Sequence, residues 1–313
     1  MEAEFLAWLR GRLPAVKPPI DIGVGDDAAV IACAADSRIV VTTDMLSDGV
    51  DFRLGEADPR RIGRKALAVN LSDLAAMAAQ PIATFVSLLL PRSGGTALAR
   101  ELYEGLLPLA EEFLAPVVGG DTNAWDGPLA ISVTALGRAG PHGVFLRSGA
   151  RPGDAILVTG EFGGSILAHQ FDFTPRVREA MWLAEHTKVH AAMDVSDGLA
   201  LDLSRLCAES GCGAELDLGR IPISTDAQRL VPIEHLSSSP LQHALNDGED
   251  FELLLAIDAA DAARLVAEQP LEPVYGVRLT QIGRFVAEHG LWAVDAAGKR
   301  SPLEQGGFQH RFD

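Results

Sequence analysis

Short runs of β-branched and aliphatic residues recur along the chain at Arg38–Asp44 (RIVVTTD), Ile82–Leu90 (IATFVSLLL), Leu129–Gly137 (LAISVTALG), Asp154–Gly160 (DAILVTG) and Phe251–Ile257 (FELLLAI). Gly, Asp or Pro closes each run, which predicts strands. Between them apolar residues recur at helical spacing. Asp58 stands where a cap belongs and Pro59 at a first helical position, predicting a helix through Arg64, Leu67 and Leu71 that stops before Pro81. A second helix is predicted over 96–113, with a break or bend at Gly105 and Pro108. Further helices are predicted over 175–186, 199–210 and 259–268, and residues 1–13 read as a short amphipathic helix, not a signal peptide. The Gly- and Pro-rich stretch Arg138–Asp154 divides the pattern into two halves, 1–140 and 141–313. Strands and helices are mixed within each half, so the fold class is α/β (α+β) and a doubly wound sheet is not expected.

The chain has 313 residues, enough for two ordinary domains, and 48% hydrophobic residues, a globular composition. Lys+Arg 26 against Asp+Glu 43 leaves a formal charge of −17. That charge repels phosphate surfaces, which excludes broad binding to nucleic acid or anionic membrane. It permits small phosphorylated molecules provided that cations stand between the carboxylates and the phosphates. The longest apolar stretch, 82–90, is far too short for a membrane span, so a soluble cytoplasmic protein is expected. Cys33, Cys207 and Cys212 are too few for a disulfide framework and lack histidines at zinc spacing. They are expected to be buried thiols in a reducing compartment. His186 and His190, four apart, are read as structural.

Many carboxylates stand among small residues beside apolar runs. They include Gly25-Asp26-Asp27, Asp44 after Thr42 and Thr43, Gly119-Gly120-Asp121, Asp194-Val195-Ser196-Asp197-Gly198 and Gly248-Glu249-Asp250. Any one of these alone is ordinary turn or cap chemistry. Ser72-Asp73 is not, because it interrupts an apolar helix between Leu71 and Leu74. Unpaired carboxylates brought within about 6 Å repel by roughly 3 kcal/mol per pair at an effective dielectric near 20. Either they stay apart or divalent cations hold them together, and oxygen donors of this kind select Mg²⁺ or Mn²⁺. No G-x-x-x-x-G-K-[ST] loop, dinucleotide fingerprint, G-x-S-x-G elbow or H-E-x-x-H pair is present.

Six segments carry a family resemblance: GDDAAV (25–30), TTD (42–44), GRKALAVNLSDLAAMAA (63–79), GGDT (119–122), SDGL (196–199) and GEDFEL (248–253). In this order they resemble the thiamine-monophosphate kinases, members of the aminoimidazole ribonucleotide synthetase-like superfamily. The resemblance implies a two-domain fold, with an N-terminal mixed-sheet domain for ATP and Mg²⁺ binding and dimerisation and a C-terminal α+β domain. It implies ATP-dependent phosphorylation of thiamine monophosphate to thiamine diphosphate, several Mg²⁺ ions with K⁺ as a further candidate, and a homodimer. Metal contacts would fall on Asp27, Thr42, Thr43, Asp44, Asp73, Asp121, Asp194 and Asp197. ATP contacts would fall on Gly120, Asp121, Arg147 and Ser196, with Tyr103 either a nucleotide contact or a core aromatic.

Substrate contacts would fall on Glu249 and Phe308, whose ring can stack on thiamine. The sequence departs from the family pattern at Gly49-Val50-Asp51-Phe52, where Asp51 occupies a substrate-contacting position usually held by histidine. Gly163-Gly164-Ser165 is expected to serve helix packing rather than phosphate. Two other readings stand beside the kinase. One is a different ATP-dependent superfamily member, such as an aminoimidazole-forming synthetase. The other is a non-catalytic nucleotide-binding scaffold.

Overall fold

In the computed structural model of the chain, the described residues are 8–9, 11–13, 15, 17–22, 30–34, 38–234, 238–295 and 297–309. They form two compact units, Met1–Leu74 with Ala79–Pro141, and Ala75–Ala78 with His142–Asp313.

The first unit contains the hairpin β1 (Ile20–Ile22) and β2 (Val30–Ile31). After it come β3 (Ile39–Ser47), α1 (Pro59–Ala76), β4 (Ala79–Pro91), α2 (Gly95–Glu112), β5 (Val117–Trp125) and β6 (Ala130–Ala139). The last four strands make a sheet in the order β3-β6-β4-β5, antiparallel except for β4 with β5. One cross-strand row runs Asp44–Val133–Val86–Gly120, and the next runs Met45–Ser132–Ser87–Asp121. Successive rows face opposite sides. The side of Asp44 is lined by buried Leu46, Ile131, Val133, Val86 and Leu88. The other side leaves Val41 61%, Met45 69% and Trp125 41% exposed.

α1 begins as its sequence predicts, with the Arg60 N–H donating to Asp58 Oδ1 at 2.9 Å. α2 does not break: it is one helix with Pro108 inside it. The glycine has a different purpose. A Cβ on Gly105 would stand 1.7 Å from the Arg60 carbonyl oxygen, and one on Gly63 would stand 1.9 Å from that of Leu102. The two helices therefore cross at backbone contact, a separation that only glycine allows.

The second unit holds a sheet in the order β13-β12-β9-β11-β7-β10-β8. Its elements are β7 (Ala155–Thr159), α3 (His169–Asp172), α4 (Val177–His186), β8 (Val189–Asp194), α5 (Leu199–Ser210), β9 (Gly213–Asp217), α6 (Thr225–Glu234) and α7 (Pro240–Asn246). They continue with β10 (Leu253–Ile257), α8 (Ala259–Glu268), α9 (Glu272–Tyr275), β11 (Leu279–Val286), β12 (Gly290–Val294) and β13 (Arg300–Pro302). β7 and β10 lie inside the sheet and every residue of both is buried. Ile156, Val158, Leu254 and Ala256 share a core with Leu203 and Leu206 of α5. The mixed α+β class expected from the sequence is the class found. Cys207 and Cys212 are buried as expected, but Cys33 is exposed because it lies just past the short β2 strand.

Candidate active site

In the second unit three backbone hydrogen bonds gather residues that are far apart in the chain. β8 ends at Asp194 and runs into the loop 195–198. From the segment before β10, the Glu249 N–H donates to the Ser196 carbonyl at 2.7 Å and the Phe251 N–H to that of Val195 at 2.8 Å. From the C-terminal segment, the Phe308 N–H donates to the Asp197 carbonyl at 2.9 Å. Ser196, Asp197, Glu249 and Phe308, all proposed from the sequence, thus share one neighbourhood. Asp194 is 2% exposed at the strand end, whereas Phe308 is 50% exposed.

The loop is organised by a residue that sequence reasoning missed. Asp202, fully buried in the first turn of α5, accepts the N–H groups of Ser196, Asp197 and Gly198 at 3.0, 2.9 and 3.2 Å. Arg205 donates to the other Asp202 oxygen at 2.7 Å and also holds the Asp197 carboxylate. An acid in a first helical turn reads as simple capping, so only the fold reveals this role.

The segment 248–252 is anchored from behind. Glu249 has φ +67° and Phe251 φ +51°, left-handed conformations that side chains disfavour. Between them, the Asp250 carboxylate accepts the Gly163 N–H at 3.0 Å and the Ser165 hydroxyl. Burial raises this carboxyl well above its ordinary value, against the lowering effect of those hydrogen bonds. Glu252 accepts from Arg176 Nε at 2.7 Å and from the Thr159 hydroxyl at 2.6 Å. The Gly164 N–H is likewise taken by Asp247 at 2.9 Å. The amides of Gly163 and Gly164 are therefore not free for phosphate. Added Cβ atoms there would stand 2.6 Å from the Ala244 nitrogen and 2.4 Å from the Ala227 nitrogen, so these glycines serve close packing.

In the first unit, Thr42 on β3 donates its hydroxyl to Asp73 on α1. Asp44 faces the same side, and its carboxyl is pushed up to about 7, first by burial and then by the negative charges of Asp73 and Asp51. Asp51 is turned into its own loop, accepting the Ser47 N–H at 2.7 Å, while Lys65 Nζ donates to the Asp51 carbonyl at 2.8 Å. Thr43 and Asp121 lie on the opposite side of the sheet from Asp44. Asp121 is exposed, and an added Cβ on the neighbouring Gly120 would stand 1.9 Å from the Val86 carbonyl oxygen. Strand alternation thus separates the first unit's proposed ligands into Thr42, Asp44 and Asp73 on one face and Thr43 and Asp121 on the other.

Asp26 and Asp27 lie outside the described residues. Among the described residues no three His, Cys, Asp or Glu side chains are grouped to hold a metal ion. The donor set nevertheless fits a hard divalent cation, since Thr42, Asp44 and Asp73 offer only oxygen and Asp44 carries a repulsion that a cation would relieve. Arg147 is exposed in the second unit, and its carbonyl accepts the Ser210 hydroxyl at 3.0 Å. The neighbouring Leu146 carbonyl accepts the Ala192 N–H of β8 at 2.8 Å, which sets Arg147 beside the strand that ends in Asp194. Tyr103 is 4% exposed on α2, and burial raises its hydroxyl pKa, in keeping with the core reading. His186 stacks on Trp182 at 4.0 Å and His190 Nδ1 lies 2.8 Å from Asp154, both structural roles. No described helix is long and apolar enough to cross a membrane.

Residues 25–139 match the family described as AIR synthase related protein, N-terminal domain, and residues 151–294 match its C-terminal domain. A thiamine-monophosphate kinase of Rhodopirellula baltica is 44% identical over 317 residues, spanning 99% of this chain and 97% of the relative. That of Escherichia coli K12 is 32% identical, spanning 99% and 98%. Among solved structures, thiamine-monophosphate kinase from Stenotrophomonas maltophilia superposes with a TM-score of 0.78 at 32% identity, covering 96% of each chain. AaThiL complexed with AMPPCP and TMP superposes at 0.75 with 26% identity, covering 90% of this chain and 89% of that one. The Escherichia coli hydrogenase maturation protein HypE, at 18% identity and a TM-score of 0.79, shares the fold.

Proposed function

The chain belongs to the thiamine-monophosphate kinase family of AIR synthase related proteins, and from that premise we propose that it transfers the γ-phosphoryl group of ATP to thiamine monophosphate, giving thiamine diphosphate and ADP. The observation that carries the reading is the convergence of Ser196 and Asp197 with Glu249 and Phe308 through three backbone hydrogen bonds. A scaffold has no need to bring a hydroxyl, two carboxylates and an exposed aromatic ring together from three distant segments.

The chemistry asks little covalent help of the protein. The acceptor is already an anionic phosphate oxygen, so in-line positioning and charge neutralisation matter more than a strong base. Phe308 supplies an exposed face for an aromatic ring, and Glu249 a carboxylate that suits the cationic thiazolium. Arg147 offers a planar guanidinium for phosphate, and Ser196, in the same unit, offers a hydroxyl. In the first unit Thr42, Asp44 and Asp73 would hold Mg²⁺ on one face of the sheet, Thr43 and Asp121 would serve a separate ion on the other face, Asp27 is a further candidate, and Asp194 and Asp197 would play that part in the second unit. Bound Mg²⁺ would supply the positive charge that lets two polyanions approach. We also take K⁺ as a candidate activating ion and the cytoplasm as the site of action, because ATP is the co-substrate. The exposed face bearing Val41, Met45 and Trp125 is our candidate for the interface of a homodimer.

Incubating the purified protein with thiamine monophosphate, ATP, Mg²⁺ and K⁺ and measuring thiamine diphosphate by chromatography tests the reading. Product is expected, and its absence refutes the kinase assignment. ADP formation without any thiamine compound would point to another acceptor instead. Asp73→Asn and Asp121→Asn are each expected to abolish product while the circular dichroism spectrum is retained.

A further inference from the structure

We infer that Asp250 is a positioning residue for the substrate carboxylate Glu249, acting by pinning a strained segment to the loop 163–165; this rests on the function proposed above. Three observations carry it. Glu249 and Phe251, on either side of Asp250, both adopt left-handed backbone conformations, at φ +67° and +51°. Such conformations in side-chain-bearing residues persist only where the surroundings over-determine them. Next, the two flanking N–H groups are tied to the 195–196 carbonyls at 2.8 and 2.7 Å, so the segment is fixed on the side of the Asp194–Asp197 loop. On its other side the side chain between the two left-handed residues is Asp250, 1% exposed, whose oxygens take the Gly163 N–H and the Ser165 hydroxyl. Its own carbonyl lies 3.3 Å from His169 Nε2.

With Asp250 in place, residue 250 is buried while residue 249 stays half-exposed. Without it, the left-handed pair is free to relax to an ordinary extended path, and alternation would then move the Glu249 carboxylate. Asp250 itself is 1% exposed, and its carboxylate is taken up by the Gly163 N–H and the Ser165 hydroxyl. It therefore acts through Glu249. The effect should fall on thiamine monophosphate and leave ATP untouched.

The test compares KM for both substrates in wild type, Glu249→Gln, Asp250→Ala, Asp250→Asn and the double variant Glu249→Gln/Asp250→Ala. Asp250→Ala should raise KM for thiamine monophosphate about tenfold, the cost of losing buried hydrogen bonds, while KM for ATP stays within about twofold. Asp250→Asn keeps an acceptor for the Gly163 N–H and should restore most of the affinity. The double variant should match Glu249→Gln, because removing the carboxylate leaves nothing for Asp250 to position. Should Asp250→Ala fail to fold, Ser165→Ala serves in its place, with an expected rise of about threefold and the same lack of additivity. Effects that multiply in the double variant, or equal rises in both KM values, overturn the inference while the kinase reading stands. A wild-type protein that makes no thiamine diphosphate overturns that reading and the inference with it.

Discussion

Gly105→Ala tests whether the helix pair α1 and α2 is held at backbone contact. The new Cβ would sit 1.7 Å from the Arg60 carbonyl oxygen, 2.4 Å from its carbon and 2.7 Å from its Cα, none of which can swing aside. Restoring an ordinary contact of about 3.3 Å requires the helices to part by roughly 1.5 Å. Over a contact of about two turns by 10 Å, that opens a slot of roughly 150 Å³, which costs about 3.5 kcal/mol at 24 cal/mol per Å³. Alanine returns about 1 kcal/mol of helix propensity, so the net loss is about 2–3 kcal/mol. On a domain of this size the melting temperature should fall by roughly 6–10 °C, measured by circular dichroism. α1 also carries Asp73, so the Thr42–Asp73 hydrogen bond should loosen and turnover should fall with stability. Gly63→Ala should act alike, and the double variant should cost less than the sum, since one separation admits both methyl groups. Gly11, a helical glycine with nothing within 4 Å of an added Cβ, is the control, and Gly11→Ala should be neutral or slightly stabilising. A Gly105→Ala protein as stable as that control would refute the close-contact account.

Three further outcomes are expected. Met45→Lys, on the exposed face of the first sheet, should convert a dimer to a monomer in light scattering without changing the melting temperature of the monomer; an unchanged mass would exclude that face as the interface. In the native protein at pH 8 an aromatic disulfide reagent should titrate Cys33 at once and leave Cys207 and Cys212 until denaturant is added, because burial pushes the Cys207 thiol up to about 12 and raises that of Cys212. The carboxyl of Asp250 is raised on folding, chiefly by burial and with Glu252 and Asp247 adding to it, so its stabilising contribution is complete below an unfolded value of about 4 and is lost as pH rises through the folded value. The urea midpoint of wild type should therefore fall relative to that of Asp250→Asn as pH rises from about 4 towards neutrality, and a difference that is flat with pH would contradict the assigned shift.

Several elements were plain in the residues themselves. β7 and β10 are apolar runs bounded by turn residues because buried central strands need apolar side chains on both faces. The helices predicted over 199–210 and 259–268 coincide with α5 and α8, and Asp58 with Pro59 marks the start of α1. β5 was not legible, because its central Gly119-Gly120-Asp121 reads as a turn until Val86 is seen beside it. β8 is not legible as a strand, although Asp194, at its end, stands out as a carboxylate beside Gly198.

Fold class, family and the identity of the chemical groups can all be read from the residues, because those reside in composition, local spacing and short motifs. The sequence also places Ser196, Asp197, Glu249 and Phe308 on one list without any means of showing them adjacent. Tertiary structure alone decided three matters. It showed that backbone hydrogen bonds join those residues across gaps of many tens of positions. It set Asp44 and Asp121 on opposite faces of one sheet, because the pairing register of β3, β6, β4 and β5 determines which side each odd or even residue takes. And it assigned Asp202 and Asp250 to holding loops, since a buried carboxylate must find donors and only the folded chain says which amides those are.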